Sequence, residues 1–268
     1  MAPVLEVQHI SKTSGKGKKS ITGCSDVSFT VDTGSIYSLL GVNGAGKSTI
    51  LTILSGYQQA SSGEVKICGY SMREEPLEAK RRVGMLYEQN PLYDSMSVRD
   101  FLTFTLDMRG IRKAWQAGML EESIAFSELE AVYTRPIKTL SKGFRQRVGL
   151  AAAIIHQPPL ILLDEPTAGL DPLQLHDFEK KILSLSTHAA VILCTHQLEQ
   201  AERVCSQHIL LHQGRIVAQG TKTEFAAALF DDFQLEIENA DPLLLFRVFE
   251  KYAGLHKTAF MSAEKKAL

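Results

Sequence analysis

The chain has 268 residues, 44% apolar and 22% charged, with 29 basic against 30 acidic side chains and a formal net charge of −1. These proportions describe a globular chain able to bury a large core, as one α/β domain or a domain with a small appendage. They exclude a globally basic nucleic-acid binder, and the strongest apolar run, 148–163, is broken by His156-Gln157-Pro158-Pro159, short of the ~18 consecutive apolar residues of a membrane span.

In chain order, residues 4–10 read as a strand and 13–20 as a polar, basic turn, either a solvated hairpin tip or a phosphate patch. Val27, Phe29 and Val31 alternate with polar residues as a half-buried strand, and 35–40 is a short apolar strand. Val65 and Ile67 mark another strand, and residues 81–87 a core strand preceded by a charged helix. From 92 to about 140 the pattern turns helical. Val98, Phe101, Leu102, Thr105 and Met108 recur at helical spacing, and 119–130 reads as a further helix. Residues 140–156 hold a loop and an apolar helix, 160–163 a fully apolar strand, 173–185 an amphipathic helix, 189–195 a buried strand and 198–205 a short helix. A hairpin over 209–218 follows. Beyond about 221 a helix (225–230), a strand (233–237) and an amphipathic helix (243–252) are expected. The repeated strand–helix alternation predicts a parallel sheet with helices on both faces. Cys24, Cys68, Cys194 and Cys205 are scattered without a C-x-x-C pair, which reads as reduced thiols in a cytosolic protein and argues against a zinc site.

The chemistry-bearing stretch is Gly41-Val42-Asn43-Gly44-Ala45-Gly46-Lys47-Ser48-Thr49, a G-x-x-x-x-G-K-[ST] pattern between a strand and a helix start. Small residues allow successive backbone N–H groups to point at phosphate oxygens, and the helix N-terminus adds unpaired N–H groups and a positive dipole end. Lys47 can reach the β- and γ-phosphates of a nucleotide, and the Ser48 hydroxyl can ligate Mg²⁺. Asp164 closes the apolar 160–163 strand, where a carboxylate can meet the metal. Glu165 follows at the turn, where it can polarise an attacking water. Ser141 can cap a helix, and Gly143 allows close approach of an anion to that helix's N-terminus.

Together these stretches resemble the ATP-binding cassette (ABC) ATPases over most of the chain, from about 4 to 221. Leu160-Ile161-Leu162-Leu163-Asp164-Glu165-Pro166-Thr167-Ala168-Gly169-Leu170-Asp171-Pro172 looks like their Walker B and D-loop, and Leu140-Ser141-Lys142-Gly143-Phe144-Arg145-Gln146-Arg147 like their signature. The signature form, with Asn90-Pro91-Leu92-Tyr93 upstream, is similar to the gliding-motility and multidrug-export branch, which works with ABC-2-type permeases. The resemblance implies an α/β P-loop NTPase core with a mixed β-sheet, an antiparallel β subdomain and an inserted α-helical subdomain. The cassette would span 1–220, with the insertion at about 92–140, and 221–268 would form a short C-terminal extension.

It further implies an ATPase using ATP and Mg²⁺, with Glu165 and His196 catalytic and His196 as the switch histidine, although a lone histidine at a strand end is more often structural. Residues 41–49, Ser141, Lys142, Gly143, Phe144 and Asp171 would contact nucleotide across a head-to-tail dimer that sandwiches two ATP molecules. Ser48 and Asp164 would hold the metal, together with Glu88 or Gln89, since the family's Q-loop glutamine falls on Glu88 and Gln89 is one residue later. The family's adenine-stacking aromatic falls at or near Ser14, with no aromatic nearby, which leaves the base end less well specified than the phosphate end. Tyr93, Met96 and Phe101 either line a permease-docking groove or form subdomain core, and core is favoured for Phe101. The expected setting is the cytoplasmic face of a membrane, beside a separate integral-membrane permease, powering export, with no nucleic-acid partner. The competing readings are a non-transport ABC ATPase acting on ribosomes or DNA, and an unrelated P-loop enzyme such as a kinase. The single cassette and the lack of a heptad run or basic tail disfavour the former; the 141–147 stretch with His196 disfavours the latter.

Overall fold

The computed structural model describes residues 3–14 and 21–225, with only the backbone described at Ser14 and Ile21. Most of the basic 13–20 turn, the Ser14 side chain, and the elements expected over 226–268 lie outside the described residues. The chain divides into two compact units, Met1–Lys222 and Thr223–Leu268, and every strand and helix named here belongs to the first.

The antiparallel sheet contains β1 (Leu5–Ser14), β2 (Ile21–Val31), β4 (Ser62–Ile67) and β5 (Tyr70–Ser71), in the order β2-β1-β4-β5. Both β1 and β2 run further toward their shared turn than the apolar alternation indicates. Lys12 pairs with Cys24 and Thr13 with Thr22; polar residues on an outer ladder carry no hydrophobic period, so the pairing is set by backbone hydrogen bonds. The register slips near His9 and Asp26, both at positive φ (51° and 56°), as β-bulges.

The second sheet holds β3 (Ile36–Leu40), β6 (Val83–Leu86), β7 (Leu160–Asp164), β8 (Ala190–Cys194), β9 (Gln207–His212) and β10 (Arg215–Gly220), in the order β10-β9-β3-β8-β7-β6. It is parallel except for the β9–β10 hairpin, so the sheet is mixed. Strand alternation divides its side chains between two cores. Leu160, Leu162, Ala190 and Ile192 face the core shared with the antiparallel sheet and α1 (Lys47–Leu54), while Ile161, Leu163, Val191 and Leu193 face α6 (Pro172–Leu185) and part of α5 (Lys142–Ile154). α2 (Pro76–Arg81) precedes β6, and α7 (Leu198–Val204) follows β8.

α3 (Val98–Met108), α4 (Lys113–Ser127) and two 3₁₀ turns, Glu130–Val132 and Ile137–Thr139, make the helical insertion. Ser97 caps α3, its Oγ accepting from Asp100 N at 3.1 Å. Val98, Phe101, Leu102 and Leu106 form its buried face. Met108 is 72% exposed, because ten residues along a 3.6-residue helix it has rotated off that face. α4 starts six residues before the expected 119 and ends at Ser127, capped by Glu128, which is left-handed at φ 53°. Its first turns bury Gln116 rather than an apolar residue, which conceals the start; Gln116 Nε2 donates to Asp107 Oδ1 (2.7 Å) and Ile111 O (2.9 Å).

α5 belongs to two cores at once. Val148 and Ala151, with Ile155 just beyond, pack on the insertion, while Leu150 and Ala153 pack on the sheet. It is the element through which the insertion and the sheet share side chains.

Candidate active site

The 41–49 loop sits between β3 and α1. Its shape depends on glycine at two positions. Gly46 has φ +106°, and a Cβ there would collide with the Gly23 carbonyl oxygen on β2; Gly41 has φ +153°, and a Cβ would lie 2.6 Å from Leu211 O. The β9–β10 hairpin supports the loop from behind, Gly214 N donating to Ala45 O at 2.9 Å. Lys47 is buried, and its Nζ donates to Gly41 O (2.6 Å) and Val42 O (3.2 Å). The ammonium thus folds over its own loop, while Ser48, the next residue, is exposed.

Asp164 ends β7 directly opposite Cys194 on β8. Burial raises the Asp164 carboxyl above its ordinary value, and the Glu88 and Glu165 charges add to this; the Cys194 thiol, through a hydrogen bond, and Lys47 pull the other way. Burial and the Asp164 charge in turn keep the Cys194 thiol protonated, so the thiol is the donor. Three carboxylates and an ammonium therefore share one edge of the sheet. A divalent cation would relieve the repulsion around Asp164, and an oxygen ligand of this kind fits a hard cation, although no three His, Cys, Asp or Glu side chains converge on one point among the described residues. Both Q-loop candidates, Glu88 and Gln89, are exposed, and the Glu88 charge acts on Asp164.

Glu165 has φ +44°, a conformation that side-chain-bearing residues avoid and that recurs at functional sites. Its N–H donates to Cys194 O at 2.9 Å. Its Oε1 lies 2.7 Å from His196 Nδ1, and its Oε2 accepts from Thr195 Oγ1 at 3.5 Å. The carboxylate is largely shielded, with 13% of its side chain exposed against 59% for His196. The structure thus brings Glu165 and His196, 31 residues apart, into direct contact.

Ser141 caps α5, its Oγ accepting from Phe144 N at 3.4 Å. Gly143 lies against the Gln174 side chain at the start of α6, and Lys142 against Gly169. Asp171 caps α6, Oδ1 accepting from Leu173 N (3.1 Å) and Gln174 N (2.9 Å). The 141–144 stretch and Asp171 therefore adjoin each other, and neither makes a hydrogen bond to the 41–49 loop among the described residues.

Two buried glutamines hold the turn after Asp164, and sequence reasoning assigns neither a role. Gln146 Nε2 donates to Pro166 O at 2.7 Å and its Oε1 accepts from Asn90 Nδ2 at 2.9 Å. Gln200 on α7 donates through Nε2 to Thr167 Oγ1 at 2.8 Å. Their one visible signal is an amide on a helix face that burial would otherwise give to an apolar residue.

The family described as ABC transporter matches residues 24–168. The chain belongs to the ABC transporter family. It is similar to the Nod factor export ATP-binding protein I of Rhizobium etli, 31% identical over 250 residues covering 93% of this chain and 78% of that one. It is also similar to the methionine import ATP-binding protein MetN of Latilactobacillus sakei, 28% identical over 243 residues, 88% of this chain and 70% of that one. A solved structure of an ATP-binding subunit of an ABC transporter superposes with a TM-score of 0.77 at 29% identity, covering 93% of this chain and 99% of that one. This ABC protein is an ATP-binding subunit with ATPase activity, on an α/β P-loop NTPase fold.

Proposed function

We propose that this ABC ATPase hydrolyses ATP at the Asp164–Glu165–His196 edge, in a head-to-tail pair of cassettes, and that the cycle drives export through a separate integral-membrane permease of the ABC-2 type. The observation that carries this reading is Glu165: a strained, shielded carboxylate 2.7 Å from His196 and one residue from Asp164. In the proposal residues 41–49 hold the phosphates, and Lys47 exchanges the Gly41 and Val42 carbonyls for phosphate oxygens. Ser48 and Asp164, with Glu88 in preference to Gln89, hold Mg²⁺, which supplies charge neutralisation at the phosphates. Glu165 polarises the attacking water, and His196 orients Glu165 and meets the γ-phosphate.

Ser141, Lys142, Gly143 and Phe144 at the N-terminus of α5 present an anion-binding helix end away from the chain's own phosphate loop. That separation supports a second subunit's nucleotide as their ligand, with Asp171 beside them at the contact between subunits. The cassette is taken as 1–220 and 221–268 as an extension. Export is favoured over import by the signature form, since relatives of both kinds match to a similar extent.

Among the described residues no helix is long and apolar enough to cross a membrane, so a permease partner would place the chain at the membrane's cytoplasmic face. Phe101 is core, as expected, and Met96 packs partly buried beside it; Tyr93 is 53% exposed, its ring on Phe101 and Phe104. Tyr93 is therefore the residue of the three best placed to meet the permease.

The test is Glu165→Gln. It should bind ATP as the wild type does, lower turnover by at least about a hundredfold, and run as an ATP-bound dimer on sizing. Wild-type turnover would overturn the catalytic assignment, and a monomer with ATP bound would overturn the sandwich.

A further inference from the structure

The Gln146 amide joins three segments that are far apart in the chain. It is buried at 7% exposure on α5, two residues beyond Phe144. The Pro166 carbonyl can only accept, so the Nε2 end must face it, at 2.7 Å; Oε1 is then left to accept from Asn90 Nδ2, at 2.9 Å. The amide orientation is therefore fixed by chemistry rather than chosen. Gly149, three residues on, keeps this face of α5 open: a Cβ there would lie 2.6 Å from the Asn90 side chain.

Each end of the strut meets something consequential. Pro166 directly follows Glu165, whose φ of +44° holds only while its surroundings enforce it. Asn90 directly follows Gln89 and is two residues beyond Glu88. We infer that Gln146 is a positioning residue for hydrolysis: it fixes the Glu165–Pro166 turn from α5 and passes displacements of the 88–90 loop to the Glu165 carboxylate. This rests on Glu165 being the carboxylate that polarises the attacking water. Gln146 itself touches no nucleotide in this scheme. A misaimed carboxylate costs rate rather than affinity, and an error of about 1 Å in a reacting group costs up to about a hundredfold.

The experiment measures kcat, KM and equilibrium ATP affinity for the full chain as wild type, Gln146→Met, Asn90→Ala, the double variant and Glu165→Gln. Gln146→Met keeps the side-chain length and loses both hydrogen bonds. Its kcat should fall roughly tenfold to a hundredfold, with KM and ATP affinity within about twofold of wild type. Asn90→Ala should lower kcat by less, and the double variant should match Gln146→Met, because both changes cut one strut. Wild-type kcat in Gln146→Met, a parallel loss of ATP affinity, or additive effects in the double variant would overturn the inference. If Gln146→Met does not fold, Asn90→Ala decides, since it severs the loop end and leaves the core intact; wild-type kcat there is a refutation. Glu165→Gln separates the two readings: should it turn over normally, the catalytic assignment fails, and should it be inactive while Gln146→Met is normal, only the strut fails.

Discussion

The Lys47 ammonium is folded back over its own loop. Its Nζ is bonded to two carbonyls of its own loop, Gly41 and Val42, which satisfies a buried charge and holds the loop in shape. Charge-assisted hydrogen bonds contribute about 1.5–3 kcal/mol each. Lys47→Ala should therefore weaken ATP binding at least about tenfold in a calorimetric titration; unchanged affinity would remove Lys47 from the site. Residue-level chemistry also explains the contrast between Glu88 and Gln89. The sequence leaves the pair open because the Q-loop position and the amide differ by one residue. The β6–β7 register, Leu86 to Leu163, brings the exposed 88–89 pair past the end of β6, and the Glu88 charge acts on Asp164.

At the scale of elements, the joint between α5 and β7 carries a titratable group outside the active site. His156 Nε2 donates to Val83 O at 3.1 Å, at the start of β6, and its Nδ1 is buried without a hydrogen-bond partner among the described residues. Burial, reinforced by the nearby Arg109 guanidinium, depresses the imidazole from 6.5 to about 4. The folded chain thus keeps His156 neutral while the unfolded chain takes up the proton first. The stability this provides is complete above pH 6.5 and is lost as pH falls from there toward 4. The loss amounts to at most about 3 kcal/mol. Urea unfolding between pH 7.5 and 4.5 should show the wild type losing stability more steeply than His156→Gln, and parallel curves would contradict the assignment. A second clasp links helices: Glu128, at the end of α4, meets Arg147 of α5 and, at 2.7 Å, Lys181 of α6. Neither joint shows in a one-dimensional pattern, because each unites residues from elements far apart in the chain.

For the whole molecule, the two-core arrangement makes α5 the member common to the insertion and the sheet, and α5 carries Ser141 at one end and Gln146 one turn in. An insertion tied this way to Glu165 suits a machine worked from outside by a partner. A tagged copy purified from gently solubilised native membranes should therefore bring down an integral-membrane protein in stoichiometric amount. Recovery of ribosomal RNA or DNA instead would favour the non-transport reading of the family.

The sequence determined by itself the phosphate loop, the acidic strand end, the signature and the α/β alternation, because each is local: a period, a turn or a run of consecutive residues with its chemistry attached. It located the strands of the buried sheet, whose apolar runs 160–163 and 189–195 admit little else. It missed the polar ends of β1 and β2 and the start of α4, where pairing and a buried Gln116 take the place of hydrophobic period. Only the tertiary structure decided that Glu165 faces His196, that Lys47 folds over its loop, that Glu88 shares an edge with Asp164, and that Gln146 spans from Asn90 to Pro166. Apart from the Lys47 bonds within its own loop, these relations join residues 20 to 76 positions apart, set by strand order and helix packing, and no local preference of the backbone encodes them.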